Sequence, residues 1–224
     1  MRALKVIGVI ALVLVVLVVG VLILASTKPA IFTVQRTLNV AAEPEKVLTH
    51  VRDFHRWKDW SPYEKLDPNL KRTFSGSEKD VGAIYEWEGN DKAGKGRMEV
   101  VESAPTKVAI NLDFFQPFEC HGNVAEFTAV PDGKSTKVTW KMTGPNLFVG
   151  KVMSVFMDMD KMVGQDFEVG LANLKGLAEK EAKPEVAPEA DVKQKSGDEP
   201  ATPAEKPGEE SGEKPGEKSQ EMPE

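Results

Sequence analysis

Two polar side chains stand where the hydrophobic pattern of this chain calls for carbon. From Phe148 to Leu177 the sequence reads as one long helix. Steps of three and four from Phe156 put Asp160, Val163, Phe167, Leu171, Leu174 and Ala178 on one face, and Asp160 is the only charge among them. A carboxylate on a stripe that should be buried needs a partner, a wet cavity or a proton. His121 poses the same question on a strand, where it shares a face with Asn123, Ala125 and Phe127, opposite Glu126 and Thr128. If Phe127 points inward, so does His121, unless a bulge intervenes. Brought together between sheet and helix, His121 and Asp160 could act as a general base and its orienter, or as a polar anchor for a ligand head group. Held apart, each simply pairs with a neighbour or faces water.

A second set of residues suits an apolar ligand. Trp57, Trp60, Tyr63, Tyr85, Trp87 and Trp140 supply aromatic walls of the kind that line small-molecule pockets, although aromatics at strand parity also build plain core. Met153, Met157, Met159 and Met162 make the start of the long helix rich in adaptable thioethers, with Met153 and Met157 the candidates for ligand contact. Gly164 and Gly170 each cost a helix roughly 1 kcal/mol relative to Ala, so they signal close approach or a bend. Other motifs fail on inspection. Gly89 to Lys95 begins like a phosphate-binding loop, but Gly96 replaces the required Ser or Thr, and the segment joins two strands. Asp158 and Asp160 open like a calcium loop, yet Val163 and Val169 occupy its Gly and Glu positions. His50 and His55 lack any metal-ligand spacing, and Ser61, Ser75 and Ser154 lack a nucleophile elbow, so neither a metal nor a cofactor is expected.

The elements that must position these residues follow from turn chemistry and periodicity. Ile31–Val40 reads as a first strand. Pro44 then opens a short helix with Val47, Leu48 and Val51 on one side, and a second helical or irregular piece runs from Asp53 to Tyr63. Strand signals follow at Leu70–Phe74, Ala83–Glu88, Gly96–Glu102, Val108–Phe114, His121–Val130 and Thr136–Thr143, before the long helix. Such a meander is antiparallel and needs a cover for its apolar face, and only the C-terminal helix is long enough to be one.

Several segments in combination resemble one family. They are Trp57-x-x-Trp60-Ser-Pro-Tyr63 followed by Asp67-Pro68, Gly82-Ala-x-Tyr85-x-Trp87-x-Gly89, Thr136-Lys-Val-Thr-Trp140, and Phe156-Met-Asp-Met-Asp160-Lys-Met-x-Gly164-x-Asp166-Phe167-Glu-x-Gly170-Leu. Over roughly residues 33–178 the chain resembles the START-like (SRPBCC) superfamily in its polyketide cyclase/dehydrase and lipid-transport branch. The resemblance implies an α+β helix-grip fold, a curved antiparallel sheet wrapped around a long C-terminal helix and enclosing an apolar cavity. It implies little about activity, because this fold hosts carriers, binders and enzymes alike.

The two ends of the chain differ from its middle. Val6–Ala25 is an unbroken apolar run of 20 residues, about 30 Å as a helix, which matches a bilayer core. Arg2 and Lys5 precede it and only Lys28 follows closely, so the positive-inside bias puts residues 1–5 in the cytoplasm and the rest outside, in the periplasm. A cleaved signal peptide is the rival reading, although its apolar region is usually shorter, about 7–15 residues. Residues 180–224 hold 7 Lys and 13 Asp or Glu and almost nothing to bury, so they account for the whole net charge of −6 and read as a disordered acidic tail. The segment between is charge-balanced, which gives no support for nucleic-acid binding. Cys120 is the only cysteine and excludes an intramolecular disulfide. The expectation is a single-pass, membrane-anchored START-like domain over residues 31–178 that binds a hydrophobic small molecule or lipid. The alternatives are a cyclase or dehydratase using His121 and Asp160, and a non-catalytic envelope scaffold.

Overall fold

The computed structural model describes residues 2–182. A helix, α1 (Arg2–Ser26), precedes β1 (Ile31–Val40), α2 (Pro44–Arg52) and the short α3 (Trp57–Trp60), with single 3-10 turns at Phe54–Arg56 and Pro62–Lys65. Six strands follow: β2 (Lys71–Gly76), β3 (Ala83–Glu88), β4 (Lys95–Ala104), β5 (Lys107–Gln116), β6 (Cys120–Asp132) and β7 (Ser135–Pro145). The chain then forms α4 (Phe148–Phe156) and α5 (Met159–Ala182). The strands make one antiparallel sheet in the order β1-β7-β6-β5-β4-β3-β2, so every neighbour but the β1–β7 pair is joined by a hairpin. The sheet is curved, as a helix-grip fold requires, and register shifts in the β4–β5 and β5–β6 pairs add to its bending.

The core lies between one face of the sheet and the helices. Strand alternation buries Val108, Ile110, Ala125, Phe127, Ala129, Val138 and Trp140. Val47, Leu48 and Val51 bring α2 onto this face, with Pro44 at its tolerated first position. α5 buries Phe167, Gly170, Leu171, Leu174 and Ala178, a period-3.6 stripe, against this interior, and Gly164 beneath Arg36. It runs along β1. Arg36 meets its first turns, Lys175 Nζ donates to the Asn39 carbonyl at 3.1 Å, and the Ala41 amide donates to Glu179 Oε1 at 2.7 Å.

One expectation about this helix is corrected. It is not continuous from Phe148, because Met157 is extended (φ −131°, ψ 141°) and separates α4 from α5. Asp158 supplies the new helix start, its Oδ1 accepting from the Lys161 amide at 3.0 Å. Phe156 therefore belongs to a different helix from Asp160, and the stripe on α5 begins at Val163. The far end also differs, since α5 continues through Lys180 to Ala182 where the acidic tail was expected to begin. Lys46 Nζ donates to the Glu181 carbonyl at 3.2 Å, and Arg56 lies 3.7 Å from the Glu181 carboxylate. The rest of the expected tail lies outside the described residues.

Candidate functional site

Between the sheet, the Ser61–Leu66 segment and the first half of α5 lies a cavity of about 470 Å³. The interior is therefore not filled by the protein's own side chains, and its size falls in the range of small-molecule sites. All the expected aromatics except Trp60 line it: Trp57, Tyr63, Tyr85, Trp87 and Trp140. Trp60 is fully buried behind them and donates Nε1–H to the His50 carbonyl at 3.0 Å, so it is a structural residue that joins α3 to α2. Aliphatic and thioether side chains complete the walls, among them Met98, Leu112 and Met142 from the sheet and Met162 and Val163 from α5.

Gly170 explains how α5 comes so close. A Cβ at that position would lie 2.7 Å from Trp140 Cζ3 and 3.2 Å from the Pro62 ring. The ring of Phe167 stacks on that of Trp140 at a centroid distance of 4.0 Å, which makes the back wall. Gly164 serves the opposite side, where a Cβ would overlap the Arg36 guanidinium. Both helix glycines are thus places of close approach and not bends.

The polar groups of the cavity are few, and they differ in how they are satisfied. Glu64 accepts from Tyr85 Oη–H at 2.6 Å and from Arg72 Nε–H at 2.7 Å, a closed network in which each member has a partner. Burial, and then the Glu64 charge, push the Tyr85 phenol well above its ordinary range, so it stays a hydrogen donor. Asp166, on the cavity flank of α5, is not so paired, and desolvation raises its carboxyl. The Tyr63 phenol is also pushed up, chiefly by burial and then by the Asp166 charge. Among the described residues Ser61 Oγ and Trp140 Nε1 are buried without a hydrogen-bond partner, and both residues line the cavity. The contrast among tryptophans is direct. Trp57, Trp60 and Trp87 donate their indole N–H to the carbonyls of Val51, His50 and Ala93, and Trp140 donates to none. An unmet buried donor of this kind costs about 1–3 kcal/mol.

The expected His121–Asp160 pair does not form, and neither residue lines the cavity. Gly122 adopts φ +74°, and the β5–β6 register slips between Leu112 and Phe114. That irregularity breaks the alternation, so Asn123 points inward while His121 stands exposed. His121 Nε2 lies 2.9 Å from Glu119 and Nδ1 lies 3.3 Å from Asp113. The Glu119 contact is the main reason its pKa rises above 6.5. Asp160 sits in the first turn of α5, where a carboxylate suits the helix dipole, and it holds Arg36 through Nη2 at 3.1 Å and Nη1 at 3.2 Å. Glu168 takes Arg36 Nε at 2.8 Å on the same outer surface. A general base oriented by a carboxylate is therefore absent from this pair, because each member is committed elsewhere. Met153 on α4 and the exposed Met157 also lie outside the cavity lining. Among the described residues no three His, Cys, Asp or Glu side chains converge to hold a metal ion.

Sequence reasoning gave no site role to Glu64, weighed Ser61 only as a nucleophile, and met Asp166 only within the family motif. Asp166 stands one residue before Phe167 and so falls off the apolar stripe, while Ser61 and Glu64 sit in irregular backbone where periodicity has nothing to say.

Comparison with known proteins agrees with this architecture. The di-domain ARO/CYC StfQ of the steffimycin biosynthetic pathway superposes with a TM-score of 0.53 at 11% identity, over 68% of this chain and 52% of that one, so this chain spans about half its length. The Aha1 dimer from Colwellia psychrerythraea gives a TM-score of 0.47 at 19% identity over 66% of this chain and 96% of its own. A protein from Mesorhizobium loti gives 0.49 at 16% identity over 66% and 98%. No curated protein matches the sequence. The sequence profile of the family described as polyketide cyclase / dehydrase and lipid transport matches residues 32–179, a span that contains every residue of the cavity wall. This chain belongs to that family.

Proposed function

We propose that the chain binds an apolar small molecule or lipid in the cavity between sheet and α5, and that α1 holds the domain at the outer face of the cytoplasmic membrane. The observation that carries the reading is the apolar cavity of about 470 Å³ itself, walled by Trp57, Tyr85, Trp87, Trp140 and the methionines of sheet and α5. A ligand's carbon body replaces water against the aromatic and methionine walls. Each buried CH₂ contributes about 0.8 kcal/mol, so a chain of modest length suffices for useful affinity. Asp166, part-exposed on the cavity flank, offers a polar point for the ligand's head group. An anchor fits this role because it keeps the cavity beside a reservoir of apolar ligand.

Native mass spectrometry of the full chain, extracted gently from its own membrane, tests the reading. The expected result is a co-purifying small molecule that disappears in Leu112→Trp, a variant that fills the cavity from its sheet wall, while circular dichroism stays unchanged. Repeated recovery of empty wild-type protein overturns it.

A further inference from the structure

The element that leads into α5 has no role in the cavity, yet it is apolar and exposed. α4 reads Phe-Val-Gly-Lys-Val-Met-Ser-Val-Phe, with Lys151 its only charge, and none of its residues is buried. Leu147, Phe148, Val149, Phe156 and Met157 leave 43–70% of their surface open, and Met162 at the start of α5 adds another 46%. So many exposed apolar side chains in one short stretch of a folded domain mark a contact surface.

The position of α4 identifies what it faces. It is the element against which α1 packs. Ala25 is fully buried and Gly20 and Val21 are half-buried, whereas the rest of the apolar run is open. The start of α4 is tied to the chain leaving α1, since the Asn146 amide donates to the Ala30 carbonyl at 2.8 Å and its Nδ2 donates to the Pro29 carbonyl at 3.0 Å. Gly20 lies six residues before Ser26, about 9 Å along a helix axis. A helix packed at that height on a bilayer-spanning segment sits at the boundary of head groups and acyl chains, where interfacial helices lie about 5–10 Å deep.

We infer that α4, with the α4–α5 junction, is a membrane-seated element that holds the domain's cavity against the outer leaflet. The inference rests on the reading of α1 as an anchor. The occupant of the patch is lipid: carbon from Phe148, Val149 and Phe156 enters the acyl boundary, and Lys151 meets phosphate. Met162 and Val163 belong both to this end of α5 and to the cavity wall, so the α4–α5 junction adjoins the cavity. An apolar ligand that enters along this side leaves the membrane without crossing bulk water.

The full chain in a Cys120→Ser background, reconstituted in phosphatidylethanolamine–phosphatidylglycerol vesicles, tests this. Environment-sensitive labels go on Phe156→Cys, on Val15→Cys within α1, and on Val130→Cys. Val130 on β6 lies beside the β6–β7 hairpin and pairs with Lys137, eight residues and about 27 Å along β7 from the end next to α1. Phe156 is 70% exposed, so its replacement leaves the core intact. The expected result is loss of Phe156-site emission to quenchers placed high on the lipid chains, loss of Val15-site emission to quenchers placed deep, and none at Val130. Quenching at Val15 with a Phe156 site as bright as Val130 overturns the inference while the anchor stands. An unquenched Val15 site refutes the anchor and takes the inference with it. Self-quenching at Phe156 that depends on protein density and not on lipid quencher assigns the patch to a second copy and also overturns it.

Discussion

Asp160 and Asp166 lie six residues apart on one helix, and the two faces of α5 they occupy work by opposite rules. The outer face is wet and paired. Arg36 lies across Gly164 and joins Asp160 to Glu168, and each charge keeps contact with solvent. The inner face is apolar, and it is close-packed at Phe167 and Gly170. Phe167 stacks on Trp140, Gly170 admits that ring and Pro62, and Asp166 meets the cavity without a cationic partner. The same residue type is an inexpensive surface ion pair in one place and a desolvated, raised carboxyl in the other. A carboxylate's role is set by the face it falls on, not by its spacing in a motif.

Five substitutions on this helix break or sharpen the contrast, measured by denaturant unfolding of the detergent-solubilised full chain. The largest expected effect is on the inner face. Phe167→Ala removes a fully buried ring that stacks on Trp140 and should lower stability by about 3–5 kcal/mol. A loss below about 1 kcal/mol would mean that the cavity wall collapses freely and that the inner face is not close-packed. The two glycines come next. Gly170→Ala meets the rigid Trp140 and Pro62 rings and should cost up to about 2 kcal/mol after the gain in helix propensity. Gly164→Ala displaces the Arg36 guanidinium from Asp160 and Glu168, a flexible and part-solvated group that can re-form contacts, and should cost less, about 0–1 kcal/mol after the gain in helix propensity. Equal costs at the two sites would remove the distinction between rigid and yielding neighbours.

The smallest effects concern the carboxylates, and there the signs matter. Burial raises the Asp166 carboxyl in the folded state above its ordinary 3.8, so its charge weighs against the native state at neutral pH. Asp166→Asn should therefore raise the unfolding midpoint near pH 7, and the gain should vanish as pH falls below 3.8, where the side chain is protonated in both states. Asp160→Asn should instead lower the midpoint slightly through loss of the Arg36 contact, by an amount that shrinks in about 1 M salt. Shifts of the same sign would mean that the two carboxylates share one kind of environment.

Much of the architecture was open to reading from local pattern. The strand bounds follow from alternation and turn residues, and α2 from its Pro44 start and the Val47, Leu48, Val51 face. The errors share a cause. At Gly122 and at Met157–Asp158 a single irregular residue resets a period, and a count carried across it assigns every later side chain to the wrong face. Each had a faint signal, a glycine within a strand pattern and an Asp poised as a helix cap, but neither outweighs a long apolar run. Asp166 had none, because it flanks the stripe and turns inward only where the curved sheet leaves room.

The sequence by itself determined the kind of molecule: a span-length apolar helix, an antiparallel meander, a covering helix and an aromatic set placed to face it. Those are consequences of hydrophobic periodicity and turn chemistry, which act over a few residues. Only the tertiary structure decided which polar groups meet. Arg36 reaches Asp160 across 124 positions of chain, and Ser61, Trp140 and Asp166 come to one cavity from a loop, a strand and a helix. Contacts of that range depend on register, bulges and packing distance together, and no local pattern carries all three.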